Sequence, residues 1–214
     1  RIYIDNPNSA PLPAGYSLKL VVDTAALVSE SKLLASGDDL RLAWVGGGSP
    51  LELDRVADTA FNTASTEVWF KSQAAIPSNS HDSSYYIYYN NPSAGEPPVN
   101  PANIFALYDG FDGAGVDTNL WTQSGSVTVS GGWARLAAGG NLFGKQAFTY
   151  GMLEMRIQAS ASHSYMWWGW EDGPNDAPNF VVFEYDATDL AAYLRNNNNP
   201  YETLRFSPQP DVTE

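Results

Sequence analysis

Apolar and polar residues alternate with a period of two along much of the chain. Over residues 16–23, Leu18, Leu20 and Val22 fall on one side while Ser17, Lys19 and Asp23 fall on the other. That spacing predicts a strand with one wet and one buried face. Residues 1–5 read as a first strand, and residues 25–34 as one or two helical turns. Residues 37–44 read as a turn feeding a strand, and further strands are expected at 51–56, 66–71 and 84–89. In the second half, Ser126-Val-Thr-Val-Ser130 and residues 133–137 flank Gly131-Gly132, the composition of a tight hairpin. Residues 150–158 set Leu153, Met155 and Ile157 against Glu154, Arg156 and Gln158, again a strand pattern. Further strands are expected at 165–170, 180–187, 190–195 and 201–206, the last two around the turn Asn196-Asn-Asn-Asn-Pro200. Short strands separated by Gly, Pro, Asn and Ser, with no long helical period, predict an all-β protein built as sandwiches.

Residues 90–103 interrupt this pattern with Pro92, Pro97, Pro98 and Pro101. Proline lacks the N–H that a central strand must donate, so a boundary is expected here. The expected layout is one sandwich over 1–92, a stiff Pro/Asn-rich linker over 93–103, and a second, incomplete sandwich over 104–214.

Composition narrows the range of partners. Hydrophobic residues make up 43% of the 214 and charged residues 16%, a balance that folds. With 24 acids against 11 bases the net charge is −13. Nucleic acid and acidic lipid surfaces are therefore repelled, and no basic cluster offsets this. Cysteine is absent, which excludes a disulfide framework and thiolate chemistry but leaves the compartment open. No signal peptide or membrane span is visible, and the chain reads as a mature or trimmed piece.

Candidate chemistry gathers in two adjoining segments. Asn-Phe-Val-Val-Phe-Glu-Tyr-Asp-Ala-Thr-Asp (179–189) is an apolar run ending in Glu184, Asp186 and Asp189. Before it lies the aromatic stretch Tyr165-Met-Trp-Trp-Gly-Trp170. Alternation puts Glu184 and Asp186 on one face, with Asp189 on the other unless a bulge intervenes. It also sends Trp168 and Trp170 to one face and Tyr165 and Trp167 to the other, so at most one pair lines a groove and the other is core. Aromatic rings stack on sugar C–H faces while carboxylates bind hydroxyls, which makes a polysaccharide or surface glycan the candidate ligand. Asp109, Asp112 and Asp117 are candidates for structural calcium, although they lack the Asp-x-Asp-x-Asp-Gly spacing of a calcium loop; no other cofactor is expected. His81 and His163 have no partner at ligand spacing. Gly46-Gly-Gly lacks the lysine of a phosphate loop. The tyrosines of 85–89 fit a strand with a core face and a wet face.

Two resemblances add to this reading. Arg1-Ile-Tyr-Ile-Asp-Asn6, Ser36-Gly-Asp-Asp-Leu-Arg41, Asn62-Thr-Ala-Ser-Thr-Glu-Val-Trp69 and Ile87-Tyr-Tyr-Asn-Asn-Pro-Ser93 resemble domain of unknown function 2341, a bacterial and archaeal surface-protein module. That resemblance covers residues 1–93 and implies an extracellular or cell-surface location. Asp109-Gly-Phe-Asp-Gly113, Val116-Asp-Thr-Asn-Leu-Trp121 and Tyr150-Gly-Met-Leu-Glu-Met-Arg156 resemble the opening strands of a concanavalin-like sandwich of the lectin and family-16 glycoside hydrolase type. Glu184-Tyr-Asp-Ala-Thr-Asp189 stands where those hydrolases carry Glu-x-Asp-x-x-Glu. The resemblance implies Glu184 as nucleophile, Asp186 as its modulator and Asp189 at the acid/base position. Asp189 is one methylene short for a mechanism that needs two carboxyls about 5–5.5 Å apart. The expectation is a non-enzymatic surface module for adhesion, glycan binding or assembly. The alternatives are a retaining glycosidase acting on a β-glucan-like polysaccharide, and a structural fibre or envelope subunit that associates through open strand edges.

Overall fold

The computed structural model describes residues 1–148, 151–158, 166–172, 180–185, 190–195 and 202–205. Among the described residues it is nearly all β, with several antiparallel sheets and no closed barrel. Among the described residues, no helix is long and apolar enough to cross a membrane. The chain divides into two compact units, Arg1–Tyr108 and Asp109–Glu214.

The first unit is a two-layer sandwich. Its strands are β1 (Ile2–Asn6), β2 (Ser17–Val22), β3 (Arg41–Trp44), β4 (Leu51–Leu53), β5 (Val56–Ala57), β6 (Thr66–Lys71) and β7 (Ser80–Tyr88). One sheet has the order β1-β7-β3-β4 and the other β2-β6-β5. Leu42, Leu53 and Tyr85 from the first sheet meet Val68 and Phe70 from the second. Ile2, Ile4, Leu18, Leu20 and Ile87 pack around them. The helical turn expected after β2 is α1 (Thr24–Ser29), where Asp23 accepts from Ala26 N.

The single strand expected at 51–56 is two short ones, β4 and β5, and they lie in different sheets. The chain crosses between layers at Asp54-Arg55. Arg55 is buried there, and its guanidinium donates to the carbonyls of Leu40 at 2.8 Å and Gly37 at 2.7 Å. Desolvation lowers the Arg55 pKa from its ordinary value. Its planar fork meets two carbonyls at once and lies over the Phe61 ring, which a lysine would not reproduce.

The proline-rich segment over 93–103 lies against this first unit. Pro98 O accepts from Arg55 N at 3.1 Å, Gly95 O accepts from Arg41, and Asn103 donates to Asp54 at 2.8 Å. Prolines lack donors but keep their carbonyls, so such a stretch can still be tied down from outside a sheet. A 3-10 turn at Pro101–Asn103, capped by Asn100, then delivers Ile104. Ile104 is fully buried against Val56 and Trp69, and Ser17 Oγ donates to its carbonyl at 2.6 Å. Phe105 meets the Trp69 ring edge-on at 5.4 Å. The outer face of the three-stranded sheet is thus covered at Val56 and Trp69, which is why the consecutive Val68, Trp69 and Phe70 of β6 are all buried.

The second unit contains β8 (Trp121–Ser124), β9 (Val127–Ser130), β10 (Trp133–Leu136) and β11 (Asn141–Gly144). It continues with β12 (Met166–Glu171), β13 (Phe180–Tyr185), β14 (Leu190–Arg195) and β15 (Glu202–Arg205). β9 and β10 form the expected hairpin, with Gly131 and Gly132 at φ 60° and 77° in its turn. Both central residues of that turn need positive φ, which glycine adopts without a Cβ penalty. β8 pairs with β11 around it, and β12-β13-β14-β15 form a four-stranded antiparallel sheet. The strand expected over 150–158 is not formed at 151–158: those residues make no ladder, and Met152, Leu153 and Met155 are exposed. Alternation marked a face there, but a strand also needs a hydrogen-bonding neighbour.

Candidate functional site

The register of the four-stranded sheet sorts the candidate residues by face. Trp167 lies opposite Glu184, Glu184 opposite Ala191, and Val182 opposite Tyr193. Side chains directly opposite one another share a face, as do those two apart along a strand. Trp167, Glu171, Glu184, Tyr193 and Arg195 therefore occupy one face. Trp168, Trp170, Val181, Phe183 and Leu194 occupy the other.

On the first face, Glu184 is only 8% exposed and its Oε1 accepts the Tyr193 hydroxyl at 3.2 Å. A buried carboxylate needs a donor, and the phenol supplies one. Trp167 lies parallel to Tyr193, with centroids 6.1 Å apart and planes within 8°. More than half of Trp167 is open to solvent. Glu171 ends β12 on this same face, and burial followed by the charge of Asp172 pushes its carboxyl up. One strand thus supplies a buried carboxylate, and its two neighbours supply a parallel ring pair beside it.

On the opposite face, Trp168 stacks on Phe183 at 5.9 Å, and Phe148 meets Trp170 edge-on at 5.7 Å. Leu153, Glu154, Met155, Trp168, Gly169, Trp170 and Phe183 line a hollow of about 290 Å³ there. Trp168 and Trp170 consequently do not share a surface with Glu184. Of the aromatic candidates in the described residues, Trp167 alone does. Tyr165, Asp186, Asp189 and His163 lie outside the described residues.

Tyr193 was missed in the sequence because its strand, Leu-Ala-Ala-Tyr-Leu-Arg, carries no motif. What brings it to Glu184 is the pairing of β13 with β14, a cross-strand register that alternation within one strand does not specify.

The aspartates proposed for calcium have other contacts. Asp109 Oδ1 accepts from Phe111 N at 2.8 Å and Oδ2 from Trp121 Nε1 at 2.8 Å. Asp117 Oδ1 accepts from the backbone and side chain of Asn119, closing a turn that feeds β8. Asp109 and Asp117 each fasten a local turn, and Asp112 forms no cluster with them. Gly46 and Gly47 lie against the Trp44 indole, where a Cβ would come within 2.7–2.8 Å of the ring. Their bareness lets the loop close over that ring, which accounts for the glycines without a phosphate.

The comparisons with known proteins bear on the first part of the chain. Residues 36–124 match a family described as Domain of unknown function (DUF2341). The matched stretch begins at the Ser36-Gly-Asp-Asp-Leu-Arg motif and runs through β8, past the end of the first unit and past residue 93, where the resemblance stops. No curated protein and no solved structure matches the chain.

Proposed function

We propose that this chain is a non-enzymatic module that holds a glycan at the outer surface of a cell. Its second unit is read as part of a concanavalin-like sandwich. The observation that carries the proposal is the parallel Trp167–Tyr193 pair beside buried Glu184. Exposed aromatic faces suit the C–H face of a pyranose, and a fixed carboxylate suits its hydroxyls. Glu184 is held by Tyr193 before any ligand arrives, so the acceptor is already oriented.

A second reading is favoured by the same carboxylate. Glu184 occupies the nucleophile position of the family-16 hydrolases that the segment resembles, and burial among aromatics is compatible with that role. Incubating the chain with laminarin and mixed-linkage glucan separates the two. Under the binding proposal, both glucans release no reducing ends, and retention on a glucan gel falls in Trp167→Ala. Reducing ends released by the wild type and lost in Glu184→Gln would replace binding with hydrolysis. A third reading, assembly through strand edges, requires self-association that rises with protein concentration, read by sedimentation.

A further inference from the structure

The outer face of the four-stranded sheet in the first unit carries a second set of aromatic and polar groups, unrelated in sequence to the Glu184 face. β7 turns Tyr85 into the core, 1% exposed, and sends Tyr86 and Tyr88 outward. Tyr86 and Tyr88 stack at 6.1 Å, and Tyr88 is 50% exposed. Across the register, Arg41 lies opposite Tyr88 and Glu52 lies opposite Ala43 on the next strand. Arg41 and Glu52 form an ion pair at 2.6 Å.

Beside this face is a groove of about 400 Å³, in the size range of small-ligand sites. Arg41, Glu52, Tyr88 and Tyr89 line it, together with Asn91 and Ser93 from the loop after β7. Its wall is held firmly. Asp39, 2% exposed at the base, accepts from the backbone N–H groups of Leu34, Asn90 and Asn91. Arg41 reaches over to the carbonyl of Gly95. The loop is thus tied down from both ends without a ligand, the condition under which a shallow polar groove binds at low entropic cost.

We infer that this groove is a subsite for a neutral polysaccharide, with Tyr88 and Tyr89 as stacking surfaces and the Arg41–Glu52 pair, Asn91 and Ser93 as hydroxyl partners. The chemistry of the lining selects this occupant. Its one cation is already paired with Glu52, and the chain carries −13, so a polyanion gains nothing here. An apolar helix or a lipid surface would have to bury that ion pair and the Asn91 and Ser93 side chains without partners. A polyhydroxylated chain offers C–H faces to the rings and both donors and acceptors to the polar groups. All six lining residues that would touch it lie within the 36–124 stretch, so the site belongs to the matched family portion rather than to the Glu184 unit.

Affinity electrophoresis of the whole chain through gels containing hydroxyethylcellulose, glucomannan, xylan or laminarin, with alginate as the polyanion, tests this. At least one neutral polymer should retard the wild type while alginate does not. Tyr88→Ala should weaken that retardation by roughly tenfold, and Tyr88→Phe, which keeps the ring, should largely restore it. Trp167→Ala serves as the counter-variant. If retardation is lost in Trp167→Ala and unchanged in Tyr88→Ala, the groove is overturned and the Glu184 face alone binds. The reverse outcome supports the groove and removes the support for the Glu184 face. Retardation by alginate alone, or by no polymer, overturns the groove. Thermal melts of each variant must match the wild type; if Tyr88→Ala melts early, Asn91→Ala and Ser93→Ala replace it, with the same expected loss and the same overturning result.

Discussion

β6 and β13 are both six-residue strands at the middle of an antiparallel sheet, each with one glutamate, yet they have different surroundings. In β6, Val68, Trp69 and Phe70 are all buried, at 0%, 5% and 2% exposure. In β13, Val182 and Glu184 are buried on one face while Val181 on the other is 43% exposed. The composition of the two runs does not explain this. β6 has a sheet on one side and Ile104 with Phe105 on the other. The contrast teaches that an apolar strand reports how much it wants to bury, while other parts of the chain decide whether it can. It also shows where polar chemistry is tolerated. The carboxylate within β13, Glu184, is buried and met by a neighbouring phenol, whereas the one within β6, Glu67, is part-exposed and paired with Lys19.

The largest expected effect comes from opening the sealed side of this comparison. Phe70→Ala should cost about 3–5 kcal/mol, a large part of an ordinary domain's stability, and urea melts followed by tryptophan fluorescence would read it. An unchanged midpoint would mean that the first unit is not held by the core described. Arg55→Met should cost about 2–4 kcal/mol, because the Leu40 and Gly37 carbonyls lose their buried donor. Arg55→Lys should recover less than half of that loss, since an ammonium does not span both carbonyls. On the open strand, Val182→Ala should cost only roughly 1–2 kcal/mol, less than Phe70→Ala, and equal losses would erase the contrast.

The smallest effect depends on pH. Tyr85 accepts from Gln73 N at 2.7 Å, and burial pushes its phenol above the ordinary value of 10. The folded pKa is raised, so this stability is complete below about pH 10 and is lost as pH rises through the folded value. Tyr85→Phe should cost about 1 kcal/mol at neutral pH and flatten the alkaline decline. A wild-type and mutant pair with parallel alkaline limbs would remove Tyr85 as the cause.

Sequence patterning made the strands legible wherever one face was buried against one partner. β2, β14 and the β9–β10 hairpin fall close to their expected places because alternation or a Gly-Gly turn specifies them locally, while β7 begins at Ser80, ahead of its expected start at Ser84. Patterning failed where tertiary context decides. Residues 51–56 carry no mark of the switch between sheets at Arg55, and residues 151–158 alternate but pair with no strand among the described residues. The prolines of 93–103 announced the end of a ladder but not that the same segment returns to cover the first sandwich. For the candidate site, the division of Trp167 from Trp168 and Trp170 could be read from period two alone. Tyr193 and the Tyr88 groove could not, because both arise from residues on separate strands brought together by register.

The strip from Pro98 to Phe105 has a practical bearing on how this module could be moved between proteins. A fragment ended at residue 92 would expose Trp69 and Val56 and would invite clumping or a foreign strand onto that face. Ended after Tyr108, the same piece keeps its own lid and should travel as a self-sufficient cassette.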